Sequence, residues 1–452
     1  MTKPKALLLM TIFSFSYLSL WAQDEPTETS SLSGSLQANG NFFMRDSAIG
    51  AYNIPQYDRQ LVGSDSWLSI NYNKAGYEIG VRFDIFNNSQ LQNPKASYSA
   101  AGLGRWFLKK KIDKLGIYVG YIYDQIGTGI IFRSYEERPL GVDNALLGVQ
   151  LSYELTENWR IKGFSGRHKQ QFDLYKAHTT GFNTEGYIEK GQLSLAPGFG
   201  VLHRNLDDET VGGVVNTIAT YAKADSIGAT FNTYAATLYN TLNFGKWTLY
   251  TEAAYKTPEV MFSPFSEKIN RDGTISEGKF VNQAGWVIYG NLGFNVEKTD
   301  ENWGIGLLLE AKRTEGFNFR TTPLATLNRG FVNYLPPMSR QNTYRLTSRY
   351  VPATQELGEQ ALQLDLKLSP SDVWQIDMNA SNILTLNSQQ LYREFYLSFL
   401  RKNEHTQITF GVQHQNYNQA VYEVKPMVEN VQTITIFFGV SKKFIRHKNT
   451  TF

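Results

Sequence analysis

Between Gly127 and Asp143 the chain sets Arg133, Glu136, Glu137, Arg138 and Asp143 behind two glycines, Gly127 and Gly129. Opposed charges at this density can pair with one another, bind a polar solute or line a wet space. Against lipid they would be costly, since an Arg or Lys at a bilayer midplane costs about 2–4 kcal/mol. The glycines let the backbone leave a strand abruptly. The plain alternative is an exposed loop whose charges are simply solvated, as charge runs usually are. Other chemistry finds less support. The histidines, His168, His178, His203, His405, His414 and His447, show no HExxH or His-x-His spacing, and no metal or other cofactor is expected. Cysteine is absent, which excludes a thiol nucleophile and a disulfide framework, and there is no G-x-S-x-G elbow. Ser165 and His168 are the nearest nucleophile and base, but a triad is recognised by geometry. Two polar residues three apart read more simply as wall lining, and no enzyme is expected.

The elements around this stretch are strands. Before it, Leu115, Ile117, Val119, Tyr121 and Tyr123 alternate with Gly116, Tyr118, Gly120 and Asp124; after it, Ala145, Leu147, Val149, Leu151 and Tyr153 alternate with Gly148, Gln150, Ser152 and Glu154. This is the period-two signal of two-faced strands. It recurs at 32–42, 77–85, 247–256, 286–296, 303–313, 362–368 and 374–380. The wet faces carry Glu78, Arg82, Asp84, Arg160, Lys162, Glu252, Lys256, Glu310, Lys312, Asp365 and Lys367. If they line a wide, watery interior, these residues are the partners available to a charged loop folded into it.

Composition agrees. Lys3 and Lys5 precede an apolar run from Ala6 to Leu20, and Ala22 suits the residue before a cut, so 1–22 reads as a secretory signal peptide. The run is short of the roughly 20 residues a membrane-spanning helix needs. Aromatic residues are 14% of the chain while mean hydropathy is −0.34, a combination expected where only alternate residues face lipid. A formal net charge of +3 over 452 residues implies no nucleic-acid partner. A chain lacking other long apolar runs can enter a membrane only as a closed barrel, because lipid satisfies no backbone polar group.

The connections alternate in length. Short turns are expected at 74–76, 111–114, 156–158, 244–246, 298–301, 369–372 and 402–404, and long polar links at 45–64, 87–101, 127–143, 258–282 and 316–358. Barrels of the bacterial outer membrane have this parity, with short periplasmic turns and long outer loops. The expected fold is therefore all-β, an antiparallel transmembrane β-barrel of about 16 strands (14–18) with an inward-folded loop. A short periplasmic segment, 23–30, would lead into a barrel over 31–444, followed by a basic tail, 445–452. A pair of strands within 171–224, from pieces such as Gln192–His203 and Val211–Ala222, would raise sixteen to eighteen. Residues 342–351 are read as part of a tall outer loop. Trp159, Trp247, Trp286, Trp303 and Trp374 are read at strand starts, as an interfacial girdle.

The run GYIYDQIGTGIIFRSYEERPLGVDNALLGVQL resembles the hallmark of a family of uncharacterised outer-membrane β-barrel proteins from Bacteroidota, with YTEAAYK at Tyr250–Lys256, NYLPPMSRQNTYRL at Asn333–Leu346 and Gly198-Phe199-Gly200 in support. More distantly it resembles porin-like and alginate-export barrels, in which the corresponding loop bends into the pore and narrows it. The last strand, Val431–Phe444, is similar to the C-terminal signal of barrel-assembly machinery, but a basic tail follows it here. The resemblance implies a Gram-negative outer-membrane location, with membrane lipid and the assembly machinery as partners.

Two functions are weighed on this basis. One is a porin-like channel for small polar solutes, with Arg133, Glu136, Glu137, Arg138 and Asp143 as constriction or plug and Gly127 and Gly129 as its hinge. The other is a structural barrel of a surface or secretion assembly, binding a surface or periplasmic protein through long outer segments at 258–282 and 316–358. A first strand near Ser31 leaves no room for the plug domain of a TonB-dependent transporter.

Overall fold

A computed structural model describes residues 30–53, 58–91, 97–325, 329–342, 352–422 and 430–443. The expected signal peptide, nearly all of the segment 23–30 and the basic tail 445–452 lie outside these residues.

The strands are β1 (Ser31–Phe42), β2 (Val62–Lys74), β3 (Tyr77–Ser89), β4 (Tyr98–Ile112), β5 (Leu115–Ile122), β6 (Asp124–Ile126), β7 (Phe132–Ser134), β8 (Glu136–Glu137), β9 (Val142–Asp143), β10 (Leu146–Thr156), β11 (Trp159–Gln170) and β12 (Asp173–Gly186). They continue with β13 (Ile188–Lys190), β14 (Leu193–Asn205), β15 (Asn232–Phe244), β16 (Trp247–Ile269), β17 (Ile275–Val296), β18 (Gly304–Glu315), β19 (Gly358–Ser369), β20 (Trp374–Leu384), β21 (Gln390–Lys402), β22 (Thr406–Tyr417) and β23 (Val431–Lys442). Two α-helices are described, α1 (Asp208–Ile218) and α2 (Gln419–Tyr422).

Nineteen strands form one antiparallel sheet in which each long strand pairs with the next along the chain, β5 passing directly to β10. The short β13 continues β12 along the same neighbour, β14. The sheet therefore has eighteen strand positions, two more than the sixteen of the parity count. The extra pair is β12 and β14, in the region where the sequence left a pair open. Of the two pieces named there, Gln192–His203 is strand β14, but Val211–Ala222 is mostly helix. Asp207 caps that helix, accepting from the Thr210 amide at 3.0 Å and its hydroxyl at 2.6 Å. Val211, Val214 and Ile218 then fall on one buried face. The β-branched valines suggested a strand; the cap and the spacing of three and four decide for a helix.

The sheet is inside out relative to a soluble sandwich. On β3 the exposed row is Tyr77, Ile79, Phe83 and Ile85, while Arg82 and Asp84 are buried. Exposed apolar rows recur at Leu68 and Ile70, Val149 and Leu151, Leu238, Ile288, and Ile434 and Ile436. A flat sheet of eighteen strands would be about 80 Å wide at the usual strand spacing. Yet strand residues from β5 (Ile122) to β22 (Tyr417) share one buried apolar cluster, so the sheet curls around its own contents. The fold is all-β, with the curl of a barrel; no ladder joins β1 to β23 among the described residues.

Three further expectations change. The supposed loop 258–282 is mostly strand, because β16 and β17 run on as a hairpin past the sheet and turn only at 270–274. Beyond the sheet this hairpin meets α1 and the turn after it through Val260 and Phe280 against Val214, Ile218 and Tyr221. Trp286 consequently lies within β17, not at a strand start. The described residues 316–325 and 329–342 form no tall outer loop: Phe317, Phe319, Val332 and Met338 are at most 1% exposed, inside the curl. Most of 342–351 lies outside the described residues.

Candidate functional site

The segment between β5 and β10 folds back over the polar face of the sheet. It begins as a hairpin of β6 and β7, in which Asp124, Gln125 and Ile126 pair with Ser134, Arg133 and Phe132. Gly127 and Gly129 turn it, at φ +56° and +99°. A second small hairpin sets Glu136 opposite Asp143 around a turn at Arg138–Leu140. The segment is less uniformly polar than its charges suggest, since Ile126, Ile130, Ile131 and Phe132 are wholly buried. Gly200 leaves space for this packing; a Cβ there would lie 2.4 Å from a methyl of Ile126.

A second segment, described over 317–325 and 329–342, adds to the filling. The Arg133 amide donates to the Val332 carbonyl and the Tyr334 amide to the Gly129 carbonyl, each at 2.9 Å. The Asn144 side chain donates to the Phe331 carbonyl, 187 residues away, at 3.1 Å. Two segments far apart in sequence thus form one internal body.

The wall holds this body by its charges. Arg82 binds Asp84 at 2.6 Å on its own strand, and Glu136 at 2.7 Å and Asp143 at 3.1 Å on the inward segment. Asp143 also receives Lys169 at 2.5 Å and the Tyr123 hydroxyl at 2.9 Å. Lys162 reaches Asp124 at 2.8 Å. Glu252 accepts the amide and hydroxyl of Thr128, and the hydroxyls of Thr237 and Tyr250. Against the second segment, Lys256 donates to the Asn318 carbonyl, Arg204 to that of Arg320 and Lys312 to that of Pro336. Glu259 neutralises Arg204 and Lys256, and Glu359 neutralises Lys312 at 2.8 Å. These last pairs are almost wholly buried, where losing one partner is expensive.

Most of the residues singled out from sequence come together here. Arg82, Asp84, Lys162, Glu252, Lys256 and Lys312 are buried clamps, and Asp365 binds Arg340 of the second segment at 2.6 Å. Glu310 accepts from Tyr289 at 2.6 Å. Glu78 pairs with Lys109, and Arg160 with Glu185, toward the short-turn end; Lys367 is exposed there. On the inward segment Arg133 stacks between Tyr135 and Tyr334, Arg138 lies over Trp67 and donates to Gln37 at 2.6 Å, and Glu137 is exposed. Ser165 and His168 do not meet: Ser165 bonds Thr180 on the outer face, while His168 is buried inside against Asn144. Sequence reasoning missed Lys169, Arg204 and Glu259. Lys169 sits beside the tight turn between β11 and β12, Arg204 at the end of β14 that leads into the long link to β15, and Glu259 in a stretch read as loop.

Beside the inward segment a cavity of about 120 Å³ is lined by Gly141, Asn144, Lys169, Tyr175 and Phe331. A cavity of about 40 Å³ between Trp67, Arg82, Glu136, Arg138, Asp143 and Lys169 has room for a few waters. Toward the short turns a cavity of about 340 Å³ opens, lined by Glu78, Lys109, Tyr118, Gln150, Ser152 and Glu154.

The outer cap is tied down separately. Asp225, after α1, accepts from the Ile269 amide at 2.6 Å and pairs with Lys279 at 2.8 Å. The amide, and then Lys279, hold its carboxyl below the usual range.

Residues 1–450 match a family of unknown function, DUF6029. No curated protein sequence matches the chain. Among solved structures it is similar to OccK8 (OprE) of Pseudomonas aeruginosa, at 11% identity and a TM-score of 0.45, covering 92% of this chain and 98% of that one. A BenF-like porin of Pseudomonas fluorescens Pf-5 is similar at 8% identity and TM-score 0.40, over 93% and 99%. Wzi, an outer-membrane protein involved in group 1 capsule assembly in Escherichia coli and a carbohydrate-binding β-barrel, is similar at 10% identity and TM-score 0.39, over 92% and 86%.

Proposed function

This chain belongs to the DUF6029 family of unknown function, and we propose that it is an outer-membrane β-barrel working as a gated, porin-like channel for small polar solutes. The membrane placement is supported by the exposed apolar rows around the sheet, a surface too extensive for a soluble monomer. Trp159, Trp247, Trp303 and Trp374 are exposed near the short turns, where an aromatic girdle meets the interface. Closure of β1 on β23 belongs to this proposal: the edges bear apolar outward rows, Leu32 and Leu36 on one and Ile434 and Ile436 on the other, and lipid tolerates no open edge.

The observation that carries the channel reading is how the inward segment is held. It is clamped to the wall by side-chain hydrogen bonds and ion pairs, from Arg82 and Lys169 at one end and Glu252 at the other. Such contacts can exchange for water and let the segment move. Arg133, Glu136, Glu137, Arg138 and Asp143 form the gate in this reading. At rest the gate is shut.

A second reading, a permanently plugged barrel that scaffolds a surface assembly, is favoured by the apolar core of the internal body and by the cap of α1 on the β16–β17 hairpin. Single-channel conductance in a planar bilayer separates the two, comparing the intact protein with one lacking 128–139. Brief openings in the intact protein and a large steady conductance after deletion support the gate. Silence in the intact protein under all voltages, with conductance only after deletion, supports the plug. Silence in both, with folding verified, removes the channel.

A further inference from the structure

The wall beneath the second segment differs from the rest. On β19–β21 two adjacent inward rows pair across the strands: Gln363 with Ser381 and Ser381 with Glu394, and Asp365 with Asn379. The strap 338–342 lies over them, held by Arg340 on Asp365 and by Asn342 on Glu394 at 3.1 Å. Gln363, Asn379, Ser381 and Asn342 are at most 5% exposed. Each nevertheless keeps one polar atom with no hydrogen-bond partner: Gln363 Oε1, Asn379 Oδ1, Ser381 Oγ and Asn342 Oδ1.

The pattern of what is satisfied is informative. The amide groups spend their donors, Gln363 on Asp365, Asn379 on the Leu364 carbonyl and Asn342 on Glu394. Their oxygens are left over. A buried unpaired polar atom costs about 1–3 kcal/mol, and native interiors leave few of them; three on the two wall rows, beneath a fourth on the strap, mark a place built for something that donates hydrogen bonds. With the strap lifted, Glu394 still accepts from Gln413 and Tyr392, and Asp365 still accepts from Gln363.

We propose that Gln363, Asn379 and Ser381 form a solute-binding station for a neutral polyhydroxylated molecule, a sugar or polyol, reached when the strap lifts from the β19–β21 wall. This rests on the channel reading and names the solute class and the side of the lumen it passes. Hydroxyl groups supply the missing donors without bringing charge.

The chain contains no cysteine, so Ser381→Cys gives a single, nearly isosteric thiol at the station, and Ala254→Cys one facing the apolar cluster. Labelling by a charged methanethiosulfonate is followed by mass. The Ser381→Cys variant is expected to label and the Ala254→Cys variant to resist. Maltotriose at about four times its dissociation constant is expected to slow labelling of the Ser381→Cys variant about fivefold, since protection follows 1 + [L]/Kd. On the unaltered protein, maltotriose should raise the thermal midpoint and Asn379→Leu should abolish that rise. A station thiol that never labels, or one protected by spermidine and not by maltotriose, overturns the proposal. If maltotriose protects that thiol while the intact and 128–139-deleted proteins are both silent in bilayers, the station stands and the channel reading falls. If the protein conducts and the label on the Ser381→Cys variant leaves the current unchanged, the station is not on the solute's route and this inference fails alone.

Discussion

Thr128 gives both its backbone N–H, at 2.9 Å, and its hydroxyl, at 2.6 Å, to the same carboxylate oxygen of Glu252. The contact joins the tip of the inward segment to β16, across 124 positions of chain. Glu252→Ala leaves these donors and the Thr237 and Tyr250 hydroxyls without their acceptor. Hydrogen bonds to a charged group contribute about 1.5–3 kcal/mol each to a structure when lost singly, so the tip should come free. Limited proteolysis should cut between 127 and 132 in the variant and not in the parent, and unchanged protection would remove Glu252 from the clamp.

Gly127→Ala tests the same tip from the other side. The residue sits at φ +56°, and a Cβ there would lie 2.6 Å from the Glu252 carboxylate. Gly245, at φ +57° in a short turn, would have nothing within 4 Å of an added Cβ. Both substitutions meet the backbone cost of a left-handed residue, about 1–2 kcal/mol, and only Gly127→Ala adds a collision. Denaturant midpoints in detergent should fall further for Gly127→Ala; equal shifts would mean that the clamp yields without cost.

Glu259→Ala strips the counter-charge from Arg204 and Lys256, both at most 1% exposed. Breaking a buried ion pair by removing one partner costs about 3–5 kcal/mol. The variant should lose its heat-modifiable migration on gels at a distinctly lower temperature. Replacing Arg204, Lys256 and Glu259 together by apolar residues should restore much of the loss, and a triple variant as weak as the single one would contradict this account.

The open edges make a prediction about the seam. Cysteines introduced pairwise at Ser33, Ser35 or Gln37 of β1 and at Thr433 or Thr435 of β23 should cross-link in at least one combination on mild oxidation, since directly opposed strand residues come within disulfide reach. The absence of cross-linking in every combination would mean that the sheet stays open.

Acid should loosen the cap. Asp225 has its carboxyl held below the usual range by the Ile269 amide and Lys279. A depressed native value contributes stability that is present above the unfolded carboxylate range, near pH 4, and is lost as pH falls through the native value. Hydrogen exchange at Ile269 should accelerate across that window, and Asp225→Asn should abolish the acceleration.

Much of the wall was legible from sequence because its signals are local. Tyr77, Ile79, Phe83 and Ile85 alternate with Glu78, Arg82 and Asp84, and strand geometry turns that alternation into two faces without reference to anything distant. The same rule places Lys162, Glu252, Lys256 and Lys312 inside. Local signals misled where two patterns compete, as at Val211–Ile218, or where a strand runs beyond the sheet, as β16 does through Val260 and Met261. The inward course of 127–143 was expected, but not the apolar core of Ile126 and Ile130–Phe132 within it, since the charges around those residues dominate the stretch.

What the sequence by itself determined is the two-faced strand and the turn between neighbours, because side-chain direction along a strand depends only on position. What only the tertiary structure decided is what fills the interior. The amide of Arg133 meets the carbonyl of Val332, Lys169 meets Asp143, and Arg204 with Lys256 closes on Glu259. No period in the chain encodes these meetings: each joins residues whose separation is bridged only when the curl of the whole sheet brings its polar face around on itself, where charges without water must find one another.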